Sequence, residues 1–300
     1  MGNGKILLLI PAYRDLELRN TIKSALKNAE ESDKLCFAIL NQYGPETGDI
    51  LDQFRKSDKR FRIAEVPWRE TQGIGWARHL LEEFYRDEEF ALQLDAHMIF
   101  GKGWDTILKE NMNWCQDMKG VISSYPVKYE FDKDGNTVIE TTERVRVELH
   151  PGKGRFDFES GVIKVSEDDN VPKRTLYATG GLEFYRGEML KEVRYNTEIT
   201  FTGEEAVRSA QLFTFGYNVY APIGVPIYHH YGRFNRHKFW QDMYDDVKLR
   251  AYYDEITKRS DVAVDRIMSG NIKGFEQYFG KEKSIEEFLD LYWKDLAKNR

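Results

Sequence analysis

Residues 90–97 read Phe-Ala-Leu-Gln-Leu-Asp-Ala-His, in which a short and mostly apolar run at 90–94 is followed directly by Asp95. A run of this kind predicts a β-strand that is buried on both faces of a sheet. Asp95 and His97 are two positions apart, so in extended backbone their side chains point to the same side. Ligands of open α/β sheets bind beyond the carboxyl ends of the strands, and the stretch therefore predicts a site as well as a fold class.

The chain before this stretch alternates strand and helix signals. Apolar runs at residues 5–10 and 35–40 predict two further buried strands, and residues 61–66 predict another strand, which Pro67 closes. One helix is predicted after Asp15, where apolar residues recur with the 3.6-residue period, and another is predicted near Gly75. This β-α-β-α alternation predicts an α/β fold with a mostly parallel, doubly wound sheet.

The chain after this stretch has a different pattern. Residues 121–178 alternate β-branched and polar residues and include an Asp-Gly-Asn turn at 134–136, so we expect an antiparallel insertion. Residues 204–216 predict a helix that ends at a glycine, and residues 237–300 predict a largely helical C-terminal region. The packing candidates near the end of that region are Ile285, Phe288, Leu289, Tyr292 and Leu296.

Composition excludes several classes of protein. The 300 residues are 41% hydrophobic and 14% aromatic, which is too apolar for a disordered chain. No apolar run approaches the roughly 18–20 residues of a membrane span, and residues 6–10 are too few for a signal-peptide core, so we expect a cytoplasmic protein without a membrane span. The only two cysteines, Cys36 and Cys115, exclude a disulfide framework and a cysteine zinc site, and both are expected to be buried thiols.

Asp95 and His97 are candidate metal ligands. A carboxylate beside an imidazole favours Mn²⁺ or another first-row divalent ion, because pure oxygen sites suit Mg²⁺ and Ca²⁺ better. An isolated Asp-x-His also occurs by chance, and a third ligand must come from elsewhere. His229 and His230 are adjacent and face opposite ways on a strand, so only one of them can ligate easily. The alternative is that both are surface or interface histidines.

Two segments hold charged groups at predicted helix starts. Residues 72–78, Gln-Gly-Ile-Gly-Trp-Ala-Arg, form a loop whose helix-start amides, with Arg78 one turn in, could hold a phosphate. The alternative is a plain helix start with an exposed arginine. Glu204 and Glu205 open the predicted helix at 204–216, where the helix dipole stabilises carboxylates, so ordinary capping is the alternative to a role in chemistry.

Together these clusters resemble a known family. The motifs that carry the resemblance are Pro-Ala-Tyr-Arg at 11–14, Gly-x-x-Trp-Ala-Arg at 73–78, Gln-x-Asp-x-His-Met-x-Phe-x-x-Gly-Trp-Asp at 93–105, Ser-x-Tyr-Pro at 123–126, Gly-Gly at 180–181 and Gly-Glu-Glu at 203–205. The chain resembles the N-acetylglucosaminyltransferase family that includes the cytosolic enzyme modifying hydroxyproline on a ubiquitin-ligase subunit. It is also similar to the polypeptide N-acetylgalactosaminyltransferases, which use Asp-x-His in place of Asp-x-Asp.

The resemblance implies a GT-A glycosyltransferase that uses a UDP-sugar and Mn²⁺ or another divalent metal, with retention at the anomeric carbon. The transferred sugar is expected to be N-acetylglucosamine or a related one. Asp95, His97 and His229 match the metal ligands, and His229 is preferred over His230. The candidates for the reacting centre are Glu204, Glu205 and Arg233. The candidates for binding the nucleotide sugar are Pro11, Ala12, Tyr13, Arg14, Gln42, Trp76, Arg78, Asp95, Gly180 and Gly181.

The resemblance also suggests how the chain is divided. We expect a catalytic domain at 1–236, with a nucleotide-sugar half at 1–105 and an acceptor half at 106–236, and a helical C-terminal extension at 237–300 packed on it. The acceptor is left open among a protein, a glycan and a modified nucleic acid, as is the oligomeric state.

Three alternatives to this activity remain. A phage-type DNA-base or glycan glycosyltransferase is the first, although 50 acidic against 44 basic residues argue weakly against DNA. A sugar-nucleotide-binding module without turnover is the second. A metal hydrolase is the third, but the usual cluster of several metal ligands is missing from the sequence.

Overall fold

The computed structural model describes residues 2–55, 58–154, 156–166, 168–169, 171–232 and 236–298. Its strands are β1 (Ile6–Tyr13), β2 (Leu35–Tyr43), β3 (Phe61–Pro67), β4 (Phe90–Leu94), β5 (Met98–Phe100), β6 (Gly120–Ser123), β7 (Val127–Phe131), β8 (Thr137–Ile139), β9 (Val145–Pro151), β10 (Phe158–Lys164), β11 (Lys173–Thr175), β12 (Leu182–Arg186), β13 (Asn218–Ala221) and β14 (Ile227–His229). Its α-helices are α1 (Leu18–Asn28), α2 (Asp52–Arg55), α3 (Ile74–Glu82), α4 (Trp104–Cys115), α5 (Met189–Glu192), α6 (Glu204–Thr214), α7 (Phe239–Asp245), α8 (Arg250–Met268) and α9 (Ile285–Lys298).

An eight-stranded sheet forms the centre of the fold, with the strand order β11-β13-β6-β12-β4-β1-β2-β3. Strands β4, β1, β2 and β3 are parallel to one another, which confirms the four strands predicted for the N-terminal part. Strands β1, β2 and β4 are buried, whereas β3, at the edge of the sheet, is half-buried. The side chains of β1 alternate between two hydrophobic clusters, with Leu8 in one and Leu7 and Leu9 in the other. Because both faces of β1 are covered, its sequence reads as a continuous apolar run.

The sheet becomes mixed beyond β4, because β12 pairs antiparallel with both β4 and β6. The antiparallel insertion expected at 121–178 is confirmed for the hairpins β7–β8 and β9–β10. However, β6 joins the large sheet instead of the insertion. Gly135, with φ of 81°, lies in the predicted turn between β7 and β8.

A smaller sheet in the order β5-β14-β7-β8 positions part of the site. Strand β14 runs antiparallel to β5, so that His229 lies opposite Met98. This pairing places a residue from far along the chain beside the loop that follows β4.

The C-terminal region is helical, as predicted, and its five packing candidates are all buried. They share a hydrophobic cluster with α6 and α8. In the described part of the chain, no helix is both long enough and apolar enough to span a membrane. Both cysteines are free, and Cys36 is buried as expected, whereas Cys115 is half-buried.

Candidate functional site

A cavity of about 630 Å³ lies beyond the carboxyl ends of β1, β2 and β4, at the edge where the sequence predicted a site. The starts of α3 and α6 reach the same cavity. The predicted site residues that line it are Pro11, Tyr13, Gln42, Arg78, Asp95, His97, Gly181, Glu204, Glu205 and His229.

Asp95, His97 and His229 converge in this cavity, and one donor atom from each lies within 4.8 Å of the other two. Nε2 of His97 is 2.8 Å from Nε2 of His229, which is 3.1 Å from Oδ2 of Asp95. Burial alone would raise the pKa of Asp95, but the hydrogen bond and charge of His229, together with His97 and Arg78, hold it below its ordinary value. Two imidazole nitrogens and a carboxylate oxygen form a donor set that fits a first-row divalent ion.

Asp15 orients His97, a role that the sequence did not indicate. Its Oδ2 is 2.8 Å from Nδ1 of His97, while its Oδ1 accepts a hydrogen bond of 2.9 Å from the amide of Glu17. An ionised carboxylate only accepts, so this contact favours a neutral imidazole with its proton on Nδ1 and its lone pair on Nε2. This is the tautomer in which a histidine ligates a metal through Nε2. The sequence places Asp15 just before the first predicted helix, but only the fold reveals its contact with His97.

His230 points away from Asp95 and His97, because adjacent side chains in extended backbone face opposite sides. Its Nδ1 is 2.8 Å from Oε1 of Glu17, and the hydroxyl of Tyr129 donates to the other oxygen of Glu17 at 2.7 Å. Arg236 also pairs with Glu17, so this carboxylate is the centre of a second polar cluster. The structure thus brings His229, and not His230, to Asp95 and His97.

Arg78 lies between Asp95, one of the candidate metal ligands, and the start of α6. Its Nη1 donates to Oε1 of Glu204 at 2.6 Å, and its Nη2 lies 3.8 Å from Oδ1 of Asp95. The arginine is only 4% exposed, which contradicts the alternative of an exposed arginine at a plain helix start. Gly180 lies against the guanidinium, since a Cβ at that position would be 1.9 Å from Nη1.

The amides at the start of α3 are not presented to the cavity. The N–H of Ile74 donates to the carbonyl of Thr200 at 2.8 Å, and that of Gly75 donates to the carbonyl of Ile199 at 3.1 Å. The hypothesis that these amides hold a phosphate is therefore wrong for both. The loop instead joins α3 to the segment before α6, and Arg78 remains as the group that reaches the cavity.

Glu205 differs from Glu204 in its surroundings. The hydroxyl of Tyr125 donates to Oε2 of Glu205, and Thr179 also hydrogen-bonds this carboxylate. Burial, followed by the charge of Glu204, raises the pKa of Glu205 to about 7. Two adjacent carboxylates therefore have unlike partners, one an arginine and the other a tyrosine.

Pro11, Tyr13 and Gln42 line the cavity at the ends of β1 and β2. Ala12 lies between two of them on β1 and points to the opposite face, where it is buried in the core. Trp76 is two positions before Arg78 on α3, so it faces another side of the helix and packs on the hydrophobic cluster there. The structure thus does not place Ala12 and Trp76 at the cavity.

Arg14 does not line the cavity either, because acidic side chains hold it beside the wall. Its Nε donates to Oε1 of Glu46 at 2.7 Å, and its Nη1 donates to Oδ2 of Asp242 at 2.9 Å. The same oxygen of Asp242 accepts from the hydroxyl of Tyr13 at 3.2 Å. Residues 13 and 14 are therefore fixed by α7, which belongs to the C-terminal region.

The C-terminal region also contributes to the wall of the cavity, which sequence reasoning missed. His237, Lys238, Phe239 and Trp240 line it, and the ring of Phe239 packs edge-on to that of Tyr13 with centroids 5.9 Å apart. These residues carry aromatic and basic groups beside a predicted helix, a signal that is too common to indicate a site. Arg233, predicted for the reacting centre, lies outside the described residues.

Comparisons with known proteins agree with this architecture. The model of the family described as Glycosyltransferase (GlcNAc) matches residues 50–284. A structure of GalNAc-T7 with UDP, GalNAc and Mn²⁺ aligns with a TM-score of 0.64 and 15% identity, over 98% of this chain and 58% of that chain. Because only 58% of that chain is covered, this chain spans less than two thirds of the length of GalNAc-T7 in that structure. At 15% identity the likeness concerns the fold, and it confirms the expected GT-A class.

Two structures of TarS residues 1–349 from S. aureus align less well. One has a TM-score of 0.47 and 13% identity, over 90% of this chain and 73% of that chain. The other, in complex with UDP-GlcNAc, has a TM-score of 0.46 and 14% identity, over 91% and 78%. Among curated proteins no significant match was found.

Proposed function

Because the chain belongs to the GlcNAc glycosyltransferase family, we propose that it moves N-acetylglucosamine or a related sugar from a UDP-sugar to a hydroxyl acceptor, with Mn²⁺ or a similar ion as cofactor. The observation that carries this proposal is the convergence of Asp95, His97 and His229 beside Arg78 and Glu204 in one cavity. The presence of UDP, GalNAc and Mn²⁺ in the GalNAc-T7 structure supports the same class of ligands here.

In this proposal Oδ2 of Asp95 and the Nε2 atoms of His97 and His229 hold the metal. When bound, a divalent ion supplies positive charge that stabilises the diphosphate as the sugar–oxygen bond breaks. Asp15 keeps the lone pair of His97 directed at the other two donors. Nε2 of His97 and Nε2 of His229 lie 2.8 Å apart, so the fold itself brings these two donors together.

Arg78 adds a fixed positive charge between the metal ligands and the reacting centre. Its guanidinium is buried, where charge interactions are less screened than at the surface, and it is held between Asp95 and Glu204. Such a preorganised cation needs no rearrangement as negative charge develops on the leaving diphosphate.

Glu204 is proposed to face the donor sugar. Its carboxylate can accept a hydrogen bond from a sugar or acceptor hydroxyl, or stabilise positive charge at the anomeric carbon. Glu205 is proposed to support the acceptor side through Tyr125. We propose retention at the anomeric carbon, a course that needs no strong general base, and an anomer-resolved NMR spectrum of the product tests this.

The nucleotide is proposed to lie against Pro11, Tyr13 and Gln42. The ring of Tyr13 is held edge-on by both Trp68 and Phe239, at centroid distances of 6.5 and 5.9 Å. A ring that is fixed in this way offers a rigid wall to a base or ribose.

A thermal-shift and product assay tests the proposal. Wild-type protein is heated with UDP, GDP or CDP, each with and without Mn²⁺, and UDP release from UDP-GlcNAc and UDP-GalNAc is followed in parallel. UDP at about 100 times its Kd should stabilise the fold by about 2.7 kcal/mol, and only with Mn²⁺ present.

The variant for this assay is Asp95→Asn, and the matched control is Asp254→Asn, an exposed aspartate on α8. We expect Asp95→Asn to lose the Mn²⁺-dependent shift and the control to keep it. Stabilisation by UDP that is equal with and without Mn²⁺ would contradict the metal site. A stronger shift with GDP or CDP would overturn the donor.

A further inference from the structure

A buried ion pair lies behind the cavity, between α6 and β12. Arg208 is 1% exposed and Glu183 is not exposed at all. The contact is bidentate, with Nη2 of Arg208 at 2.7 Å and Nε at 3.2 Å from Oε1 of Glu183, and Nε at 3.3 Å from Oε2. Nη1 of the same arginine donates to the carbonyl of Val193 at 3.0 Å. Neither side chain lines the cavity.

The pair connects two elements that carry proposed site residues. Arg208 is four positions after Glu204 on α6, so it lies one helical turn further along the same face. In the pairing of β12 with β4, Glu183 lies opposite Gln93. Gln93 is two positions before Asp95 in the sequence. The guanidinium–carboxylate contact therefore fixes the helix of Glu204 relative to the strand that leads to Asp95.

Tyr195 links this pair to Arg78. The guanidinium carbon of Arg208 lies 4.3 Å from the centre of the Tyr195 ring, and that of Arg78 lies 5.3 Å from it. The ring is 2% exposed, and attraction between a cation and an aromatic face is stronger in such a desolvated place. A continuous set of buried contacts thus runs from Glu183 through Arg208 and Tyr195 to Arg78.

Stability alone does not explain this pair. Burying two charges has a desolvation cost, and apolar replacements of similar volume are often neutral or stabilising. Resting on the proposed function, we propose that Arg208 and Glu183 are positioning residues for sugar transfer. They hold Tyr195 in place, and the Tyr195 ring keeps the guanidinium of Arg78 in contact with Glu204 and near Asp95.

The test is the double variant Arg208→Met with Glu183→Leu, which removes both charges together and so leaves neither one unpaired. Steady-state kinetics with a UDP-sugar should show kcat lowered by about 10- to 100-fold, because a misplacement near 1 Å costs this much. The KM for the donor should change by no more than about threefold, because the interaction acts in the transition state. The thermal midpoint should be equal to or above that of the wild type.

A matched control is the pair Arg62 and Glu88, in which the glutamate is buried and the arginine is half-buried. This arginine also donates to a backbone carbonyl, that of Phe84. Neither residue lines the cavity. The double variant Arg62→Met with Glu88→Leu should keep its kcat. If the double variant of the Arg208 pair keeps its kcat as well, the positioning role is overturned.

A crystal structure of the Arg208→Met, Glu183→Leu variant gives a readout that does not depend on turnover. The 2.6 Å contact between Arg78 and Glu204 should open beyond 3.5 Å. An unchanged contact in the variant overturns the inference, whether or not the variant transfers sugar. A wild-type protein that turns over no UDP-sugar would contradict the proposed function, which is a separate result. If the double variant does not fold, Tyr195→Leu tests the same path, and an unchanged kcat there also overturns it.

Discussion

Replacing Gly180 with alanine tests how closely Arg78 must be held. A Cβ atom at this position would lie 1.9 Å from Nη1 and 2.0 Å from Cζ of Arg78. Ordinary contacts of a Cβ begin at 3.4 Å, so the guanidinium must retreat by about 1.5 Å, the difference between 3.4 and 1.9 Å. The guanidinium is the far end of a flexible side chain, so the strain is relieved there and not in the backbone.

The expected loss follows from the size of this movement. Hydrogen-bond distances vary over only about 0.5 Å, so the contact between Arg78 and Glu204 is lost after a movement of about 1.5 Å. A misplacement of about 1 Å near the reacting atoms costs roughly 100-fold in rate. We therefore expect kcat to fall about 100-fold in Gly180→Ala, with a thermal midpoint within a few degrees of the wild type.

The assay is steady-state release of UDP from the accepted UDP-sugar, with melting followed by circular dichroism. Gly161→Ala is the matched control, because a Cβ at position 161 of β10 meets no atom within 4 Å. This control should keep both its activity and its midpoint. Full turnover in Gly180→Ala would refute the reasoning, since it would mean that the position of Arg78 does not matter.

Three further predictions concern the acidic residues of the site. Glu204→Gln should lower turnover by roughly 10²–10⁴-fold with little change in donor affinity, whereas Glu205→Gln should lose less; the reverse order in kinetic assays would exchange their roles. The pKa of Glu205 is raised from an ordinary value of 4.5 to about 7, so the folded state holds a proton that the unfolded state releases. The free energy of unfolding should therefore fall as pH rises from about 4.5 to 7. Urea titrations should show a smaller fall in Glu205→Gln than in the wild type, and an equal fall counts against the raised pKa. Asp15→Asn should weaken Mn²⁺ binding by roughly 10- to 100-fold in calorimetry, because the His97 tautomer is no longer fixed, and unchanged affinity would exclude that role.

Local patterns were sufficient to predict much of the fold and some of the site. The strand at residues 90–94 has the predicted bounds, because a strand covered on both faces must be apolar throughout. The preference for His229 over His230 agrees with the geometry, since His229 contacts Asp95 whereas His230, just after β14, contacts Glu17. These features depend on neighbours in the sequence, which a single chain reveals directly.

The remaining features depend on contacts between distant segments. The sequence places Asp15 only at the start of a helix, whereas in the fold its Oδ2 contacts Nδ1 of His97. Trp76 and Arg78 are both predicted for the nucleotide-sugar site, but they are two positions apart on α3 and the helix turns them to different sides. The division of the chain into 1–236 and 237–300, the cytoplasmic location and the hydroxyproline-related resemblance stay predictions.

The site is assembled from parts that are far apart along the chain. Asp95 and His229 are 134 residues apart, and Tyr13 and Asp242 are 229 apart. Closing such long loops is slow and has to be completed before the cavity exists, so a partly folded chain offers no place for a donor. A ligand that binds only the assembled cavity stabilises the folded state of all the chain segments that connect the cavity-lining residues. Metal and nucleotide together should therefore slow proteolysis along the whole chain, and not only near the residues that they touch.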